Sequence, residues 1–214
     1  MAWTIAALLV SYLLGSIPTA YLFGKILKGV DIRKVGSGNV GATNALRILG
    51  KGPGLSVLLL DILKGFIAVM FLGSYFINKP VLFPSESLLI LMGISCICGH
   101  NWTIFLQFKG GKGIAASFGV LIALAAKIAG LNIVLVYVIF TWFIVFLFSR
   151  MVSLASIFAA ISLPAFCILF KQSGSVIALS LLLSAFVVIR HKANILRIAK
   201  GQESRLYFRK KPNN

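Results

Sequence analysis

Two glycine-rich segments carry the residues best suited to chemistry. One is Gly36-Ser37-Gly38-Asn39-Val40-Gly41-Ala42-Thr43-Asn44, with Arg47 one helical turn further on, and the other is Lys109-Gly110-Gly111-Lys112-Gly113. Glycine lets backbone N–H groups face an anion with no side chain in the way, and the nearby Lys and Arg add full charge. That combination suits phosphate. In the first segment small residues lead into a short helix expected over Ala42 to Leu49, whose unpaired N–H groups would face the anion. The same residues also fit a helix-capping turn, because Ser, Asn and Thr cap well and Gly is common in loops. The second segment resembles part of a Walker A loop, but Gly113 stands where Ser or Thr should follow the lysine and no strand precedes it. A nucleotide loop is therefore excluded. What remains is a glycine nest with Lys112 at a helix N-terminus, or more plainly a basic loop between helices.

Other polar residues sit inside or beside apolar runs. His100-Asn101-Trp102 lies within the third run, about two helical turns before the glycine-lysine loop, at a depth where polar groups are functional candidates by default. The alternative is an interfacial Trp102 and a His100 bonded to a neighbouring helix. Asp61 and Lys64 stand three apart on one helix face, a spacing that favours a structural ion pair over a direct place in a site. Near the C-terminus, Arg190-His191-Lys192-Ala193-Asn194 places His191 and Asn194 on one helical face, and Glu203 is the tail's only acid. A polybasic tail facing anionic lipid accounts for the Lys and Arg without the His, Asn and Glu. An imidazole there suits a general base or a group that orients an attacking hydroxyl.

The missing groups narrow the chemistry as much. The chain has 4 acidic residues, Asp31, Asp61, Glu86 and Glu203, widely separated, so the clustered carboxylates that hold magnesium are not expected. Neither histidine begins a His-x-x-x-x-Asp arrangement, and no serine sits in a Gly-x-Ser-x-Gly elbow. No metal and no cofactor is implied. Catalysis is expected to run by anion binding and positioning on an already activated substrate.

The elements that must position these groups are membrane-spanning. Of 214 residues 59% are hydrophobic and 12% charged, and the mean hydropathy is +1.01, which no soluble domain of this size shows. The 21 Lys plus Arg against 4 Asp plus Glu leave a net charge of +17, but the hydropathy argues against a nucleic-acid binder and for a basic membrane protein facing anionic lipid. Apolar runs at Ala2 to Phe23, Leu55 to Ile77, Leu88 to Phe108, Ile114 to Ala126, Leu131 to Phe148, Leu154 to Phe170 and Val176 to Ile189 predict an all-α polytopic protein of about seven transmembrane helices. The run from Ile114, about 20 Å long, falls short of a bilayer core of about 30 Å and is expected to span a thinned region or to be re-entrant. The first run, with no basic residue before it, is expected to be an uncleaved span. Alternating the loops gathers both glycine segments and the basic tail from Arg190 to Lys211 on one side. The positive-inside rule makes that side cytoplasmic, with the N-terminus outside. The 3 cysteines, Cys96, Cys98 and Cys167, are expected as buried free thiols. A single integral membrane domain over 1–214 is the economical division.

Taken in order, Gly15-Ser16-Ile17-Pro18-Thr19-Ala20-Tyr21, Ser37-Gly38-Asn39 to Asn44, Asp61-Ile62-Leu63-Lys64-Gly65, Gly99-His100-Asn101-Trp102, Gly110-Gly111-Lys112-Gly113 and Arg190-His191-Lys192-Ala193-Asn194-Ile195 resemble the motifs of the bacterial acyl-phosphate:glycerol-3-phosphate acyltransferases, the PlsY family. The resemblance covers nearly the whole chain. It implies acyl transfer from acyl phosphate to the 1-hydroxyl of sn-glycerol 3-phosphate, giving lysophosphatidic acid and inorganic phosphate, the first acylation of phospholipid synthesis. It also implies a multi-pass enzyme of the bacterial inner membrane with its site facing the cytoplasm. The implied phosphate-binding residues are Ser37, Gly38, Asn39, Gly41, Thr43, Asn44 and Arg47, with Lys64, His100, Asn101, Gly110, Gly111, Lys112 and Gly113, and with Ser153 and Glu203 as further site residues. The implied catalytic set is His191, Asn194, Lys112 and Arg47. Which loop takes which phosphate stays open, as does the choice between His191 and the leaving phosphate as base. The competing class is a transporter of a phosphorylated solute. The concentration of polar groups on one side argues against it.

Overall fold

A computed structural model describes residues 1–206, and every regular element among them is helical. The end of the basic tail, Lys211 included, lies outside the described residues. Two compact units follow one another along the chain, Met1–Ala129 and a second from Gly130 onward.

In the first unit, α1 (Ala2–Ser16) and α2 (Thr19–Lys28) make one apolar stretch of 27 residues, broken in the middle. The unbroken run expected from Ala2 to Phe23 is thus corrected to two helices. The cause is Pro18, which lacks an N–H and drives the residue before it out of the helical region, so that Ile17 sits at ψ 114°. Carbonyls freed inside a membrane need other donors. Ser16 O receives the Thr103 hydroxyl at 2.5 Å and Ile17 O receives the Lys64 ammonium at 3.0 Å. Next come α3 (Ala42–Leu49), where a short helix was expected, and α4 (Lys51–Ile67), which continues through a π-helical turn at Ala68–Leu72 into α5 (Gly73–Phe76). Then α6 (Ser85–Asn101) leads to a 3-10 turn at Ile104–Leu106, and α7 (Ile114–Ala125) has 12 residues, about 18 Å of helix.

Small residues set the approach of these helices. A Cβ on Gly15 would meet the Cys96 carbonyl and one on Gly99 the Tyr12 carbonyl, so α1 and α6 pack backbone to backbone. Gly65 against Ala116 and Gly119 against Ile62 do the same for α4 and α7. Beneath the first glycine segment, Ile32, Val40, Ala45, Leu49, Val57 and Leu106 form a buried cluster that fixes the loop onto α4.

The second unit holds α8 (Leu131–Ser149), α9 (Val152–Leu169), α10 (Gly174–Arg190) and α11 (Lys192–Ala199), with α9 packed on α8 and α10. The α10–α11 pair bends by 60°. Among the described residues five stretches are long and apolar enough to cross a bilayer, the bent pair makes up to six, and α7 is a shorter apolar helix. Every apolar run read from the sequence contains helix, but the third, expected from Leu88 to Phe108, is α-helical only to Asn101, and Gln107 and Phe108 take positive φ. Cys96 and Cys167 are buried free thiols, while Cys98 is only half-buried.

Candidate active site

The first glycine segment is held by its own side chains. Asn44, buried on the inner side of α3, accepts from the Ser37 N–H at 2.9 Å and donates to Ile32 O and Val35 O at 3.1 Å each. Its carboxamide ties both ends of the loop to one helix. Gly36, at φ +61°, lies where a Cβ would run into Asn44 Oδ1, so both its conformation and its lack of a side chain are required. Ahead of it, Arg33 pairs with Asp31 at 2.8 Å and lies over the Tyr21 ring at 5.2 Å. The Arg33 guanidinium holds the Asp31 carboxyl down at about 2. With the loop fixed, Ser37 and Arg47 stay exposed and the α3 N-terminus begins at an extended Gly41. The N–H groups of a helix's first turn have no partner within the helix.

The second glycine segment folds back onto the end of α6. Gly110 N donates to Asn101 O at 3.2 Å and Gly111 N to His100 O at 3.0 Å. Those two N–H groups face the protein, and the loop then runs through Lys112 and Gly113 into the first turn of α7. Gly113 is the left-handed N-cap of that helix at φ +83°, and a Cβ there would meet the Asn101 carboxamide. A Cβ on Gly111 would meet His100 Nε2, and it would lie 2.9 Å from Val40 O. Val40 belongs to the first glycine segment. The two segments are thus side by side at Val40 and Gly111.

In the second unit one carboxylate gathers the polar residues. Glu203, 8% exposed, accepts from Ser153 Oγ at 2.8 Å and Asn194 Nδ2 at 2.7 Å on one oxygen and from Arg197 Nε at 2.7 Å on the other. Burial pushes its carboxyl up, but these hydrogen bonds outweigh burial and hold it below the ordinary glutamate range. Leu206 N donates to Arg150 O at 2.8 Å, which lays the chain after Glu203 along the start of α9. His191 is the corner residue of the 60° bend, buried, with Nδ1 2.8 Å from Val187 O. A carbonyl only accepts, so Nδ1 carries a hydrogen, and in a neutral ring the acceptor nitrogen would be Nε2.

Residues 5–201 match the Glycerol-3-phosphate acyltransferase family. The chain belongs to that family. It is 38% identical to a Chlorobium phaeovibrioides glycerol-3-phosphate acyltransferase over 98% of this chain and 99% of the relative. It is 45% identical to the Moorella thermoacetica glycerol-3-phosphate acyltransferase 2 over 94% and 96%. Two crystal structures of PlsY (YgiH), an integral membrane glycerol 3-phosphate acyltransferase, have the same fold. The glycerol 3-phosphate form matches with TM-score 0.82 and 38% identity over 95% of this chain and 96% of that one. The lysophosphatidic acid form matches with TM-score 0.79 and 37% identity over 95% of each. This family member is accordingly an all-helical integral membrane protein.

Within it, the structure brings Ser37 and Asn44 together, and Lys64 with His100, and both glycine segments at Val40 and Gly111. It also brings Ser153, Asn194 and Glu203 together. Sequence reasoning passed over Thr19 and Thr103, whose hydroxyls serve Asp61 and Ser16 O. A hydroxyl just beyond a proline inside an apolar run was the available signal for Thr19. Asp61 it read with Lys64, as a structural pair in preference to a direct place in the site. The pair is present at 2.9 Å, but the same Asp61 oxygen also receives Thr19 at 2.7 Å and has His100 Nδ1 at 3.5 Å.

Proposed function

We propose that this chain transfers an acyl group from acyl phosphate to the 1-hydroxyl of sn-glycerol 3-phosphate, giving lysophosphatidic acid and inorganic phosphate. The observation that carries this reading is the adjacency of the two glycine segments, each opening a helix and each with a cation, Arg47 or Lys112. Two anion-directed helix ends in one region suit a reaction in which both substrates carry phosphate. The glycerol 3-phosphate and lysophosphatidic acid forms of the solved neighbours agree with the proposed acceptor and product.

In the proposed reaction the glycerol oxygen forms an ester bond to the acyl carbon while the bond from that carbon to phosphate breaks. The phosphate leaves with the bonding electrons. The hydroxyl proton passes to His191 Nε2 or to the departing phosphate. Ser37, Gly38, Asn39, Gly41, Thr43 and Arg47 contribute to one phosphate site, and Lys112 and Gly113 to the other. Asn194 orients the hydroxyl. Acyl phosphate already carries a good leaving group, so placing the two anions and neutralising their charge supplies most of the catalysis. The family match runs across both compact units, which supports a single acyltransferase domain. The same reading puts the site on the cytoplasmic face of the bacterial inner membrane, with the N-terminus outside.

Purified protein in lipid, given glycerol 3-phosphate and chelator, tests the donor. Palmitoyl phosphate is expected to yield lysophosphatidic acid, and palmitoyl-CoA none. Equal product from the thioester, or strict dependence on added divalent metal, would overturn the proposal.

A further inference from the structure

Asp61 is a carboxylate 1% exposed within a membrane-crossing stretch, where such a group is costly and an i,i+3 ion pair with Lys64 alone would be enough to neutralise it. More than that converges on it. Thr19 of α2 and Lys64 of α4 reach its Oδ1 at 2.7 and 2.9 Å, and His100 Nδ1 of α6 lies 3.5 Å from the same oxygen. Lys64 also donates to Ile17 O at the break between α1 and α2, so the cluster is registered to the one place where that span is interrupted. The opposite edge of the His100 ring, Nε2, lies where a Cβ on Gly111 would fall. The chain of contact therefore runs from Asp61 through His100 to the loop that carries Lys112. The cavity among Asp61, Lys64, His100 and Gly110 offers about 10 Å³ to the centre of a water molecule. That is room for about one water and not for a phosphate.

We propose that Asp61 is a positioning residue, holding Lys64 and His100 behind the Gly110-Gly111-Lys112 loop so that the loop and the start of α7 keep the geometry that binds substrate phosphate. Lys64 and His100 then act through the loop, in place of the direct phosphate contact expected from the sequence. This rests on the acyl-transfer reading, and the alternative it must beat is a helix staple with no influence on the loop.

The test compares steady-state kinetics and thermal midpoints of wild type, Asp61→Asn/Lys64→Met and Thr19→Val, varying palmitoyl phosphate and glycerol 3-phosphate separately. Removing both charges together avoids a lone buried ammonium, which is the change that unfolds proteins. The double variant is expected to keep its cooperative unfolding and to raise the KM for one phosphorylated substrate about tenfold, with kcat within about threefold of wild type. Thr19→Val, which removes a hydroxyl at constant volume, is expected to raise the same KM about threefold and covers the case of a double variant that does not fold. Wild-type KM for both substrates in the folded double variant, or in Thr19→Val where the double variant fails to fold, would overturn the proposal. An inactive, folded wild type would overturn it together with the acyl-transfer reading.

Discussion

The two units hold their polar residues in opposite ways. In the first, two glycine segments lead into helices and carry the cations Arg47 and Lys112, while Asn44 and Asp61 make their hydrogen bonds inside the unit. In the second, Ser153, Asn194 and Arg197 converge on the single carboxylate of Glu203, and His191 sits buried at a bend. On the proposed reading, the first region receives negative charge from outside. The other keeps a small set of donors in fixed order around one charged acceptor. The proposed reaction has two needs, charge neutralised at two phosphates and a hydroxyl aimed.

That contrast can be broken first at His191. His191→Ala is expected to lower kcat about 1000-fold if the imidazole takes the proton, without a matching rise in either KM. A change confined to KM would move His191 to binding and leave the departing phosphate as base. Arg47→Ala comes next, with an expected loss of about 50-fold in kcat/KM, carried by KM for a phosphorylated substrate, because an exposed cation contributes charge-assisted binding. An unchanged KM for both substrates would remove Arg47 from the site.

Glu203 sharpens the comparison through stability. Glu203→Gln is expected to cost about 2 kcal/mol, seen as a lower thermal midpoint, because three donors lose a charged acceptor. The folded carboxyl lies below the ordinary range, so its stabilisation is complete above the unfolded value near 4.3 and is lost as pH falls through the lower folded value. The midpoint of wild type should therefore fall on acidification below about pH 4.3, and that of Glu203→Gln should fall less. Equal pH profiles would show that the carboxylate contributes nothing by its charge. The smallest effect is expected from Asn44→Ala, about 1 kcal/mol of stability from a local loop tie, measured by thermal unfolding alongside KM. A KM that stays at the wild-type value would show that the loop keeps its shape without the carboxamide.

Much of this was legible in the chain. Apolar length and the grouping of Lys and Arg gave the helical runs, and Gly41 before Ala42-Thr43-Asn44 gave α3. Spacing gave the Asp61–Lys64 pair. Hydropathy is blind to backbone connectivity, however, so Pro18 passed as one more apolar residue where it breaks the first span. A glycine nest read from sequence does not reveal where its N–H groups are already engaged. At Gly110 and Gly111 they bind the last carbonyls of α6, a contact across intervening chain that no local pattern encodes. Asn44 likewise read as a phosphate ligand by type, while its place on the inner face of α3 makes it the tie of its own loop.

The most direct measurement is release of inorganic phosphate and formation of lysophosphatidic acid from palmitoyl phosphate, with and without sn-glycerol 3-phosphate, by folded wild type and Lys112→Ala. Equal amounts of both products only when both substrates are present, with a loss of about 100-fold in the variant, is the predicted result. Wild-type rates in folded Lys112→Ala, or phosphate release indifferent to the acceptor, would contradict it.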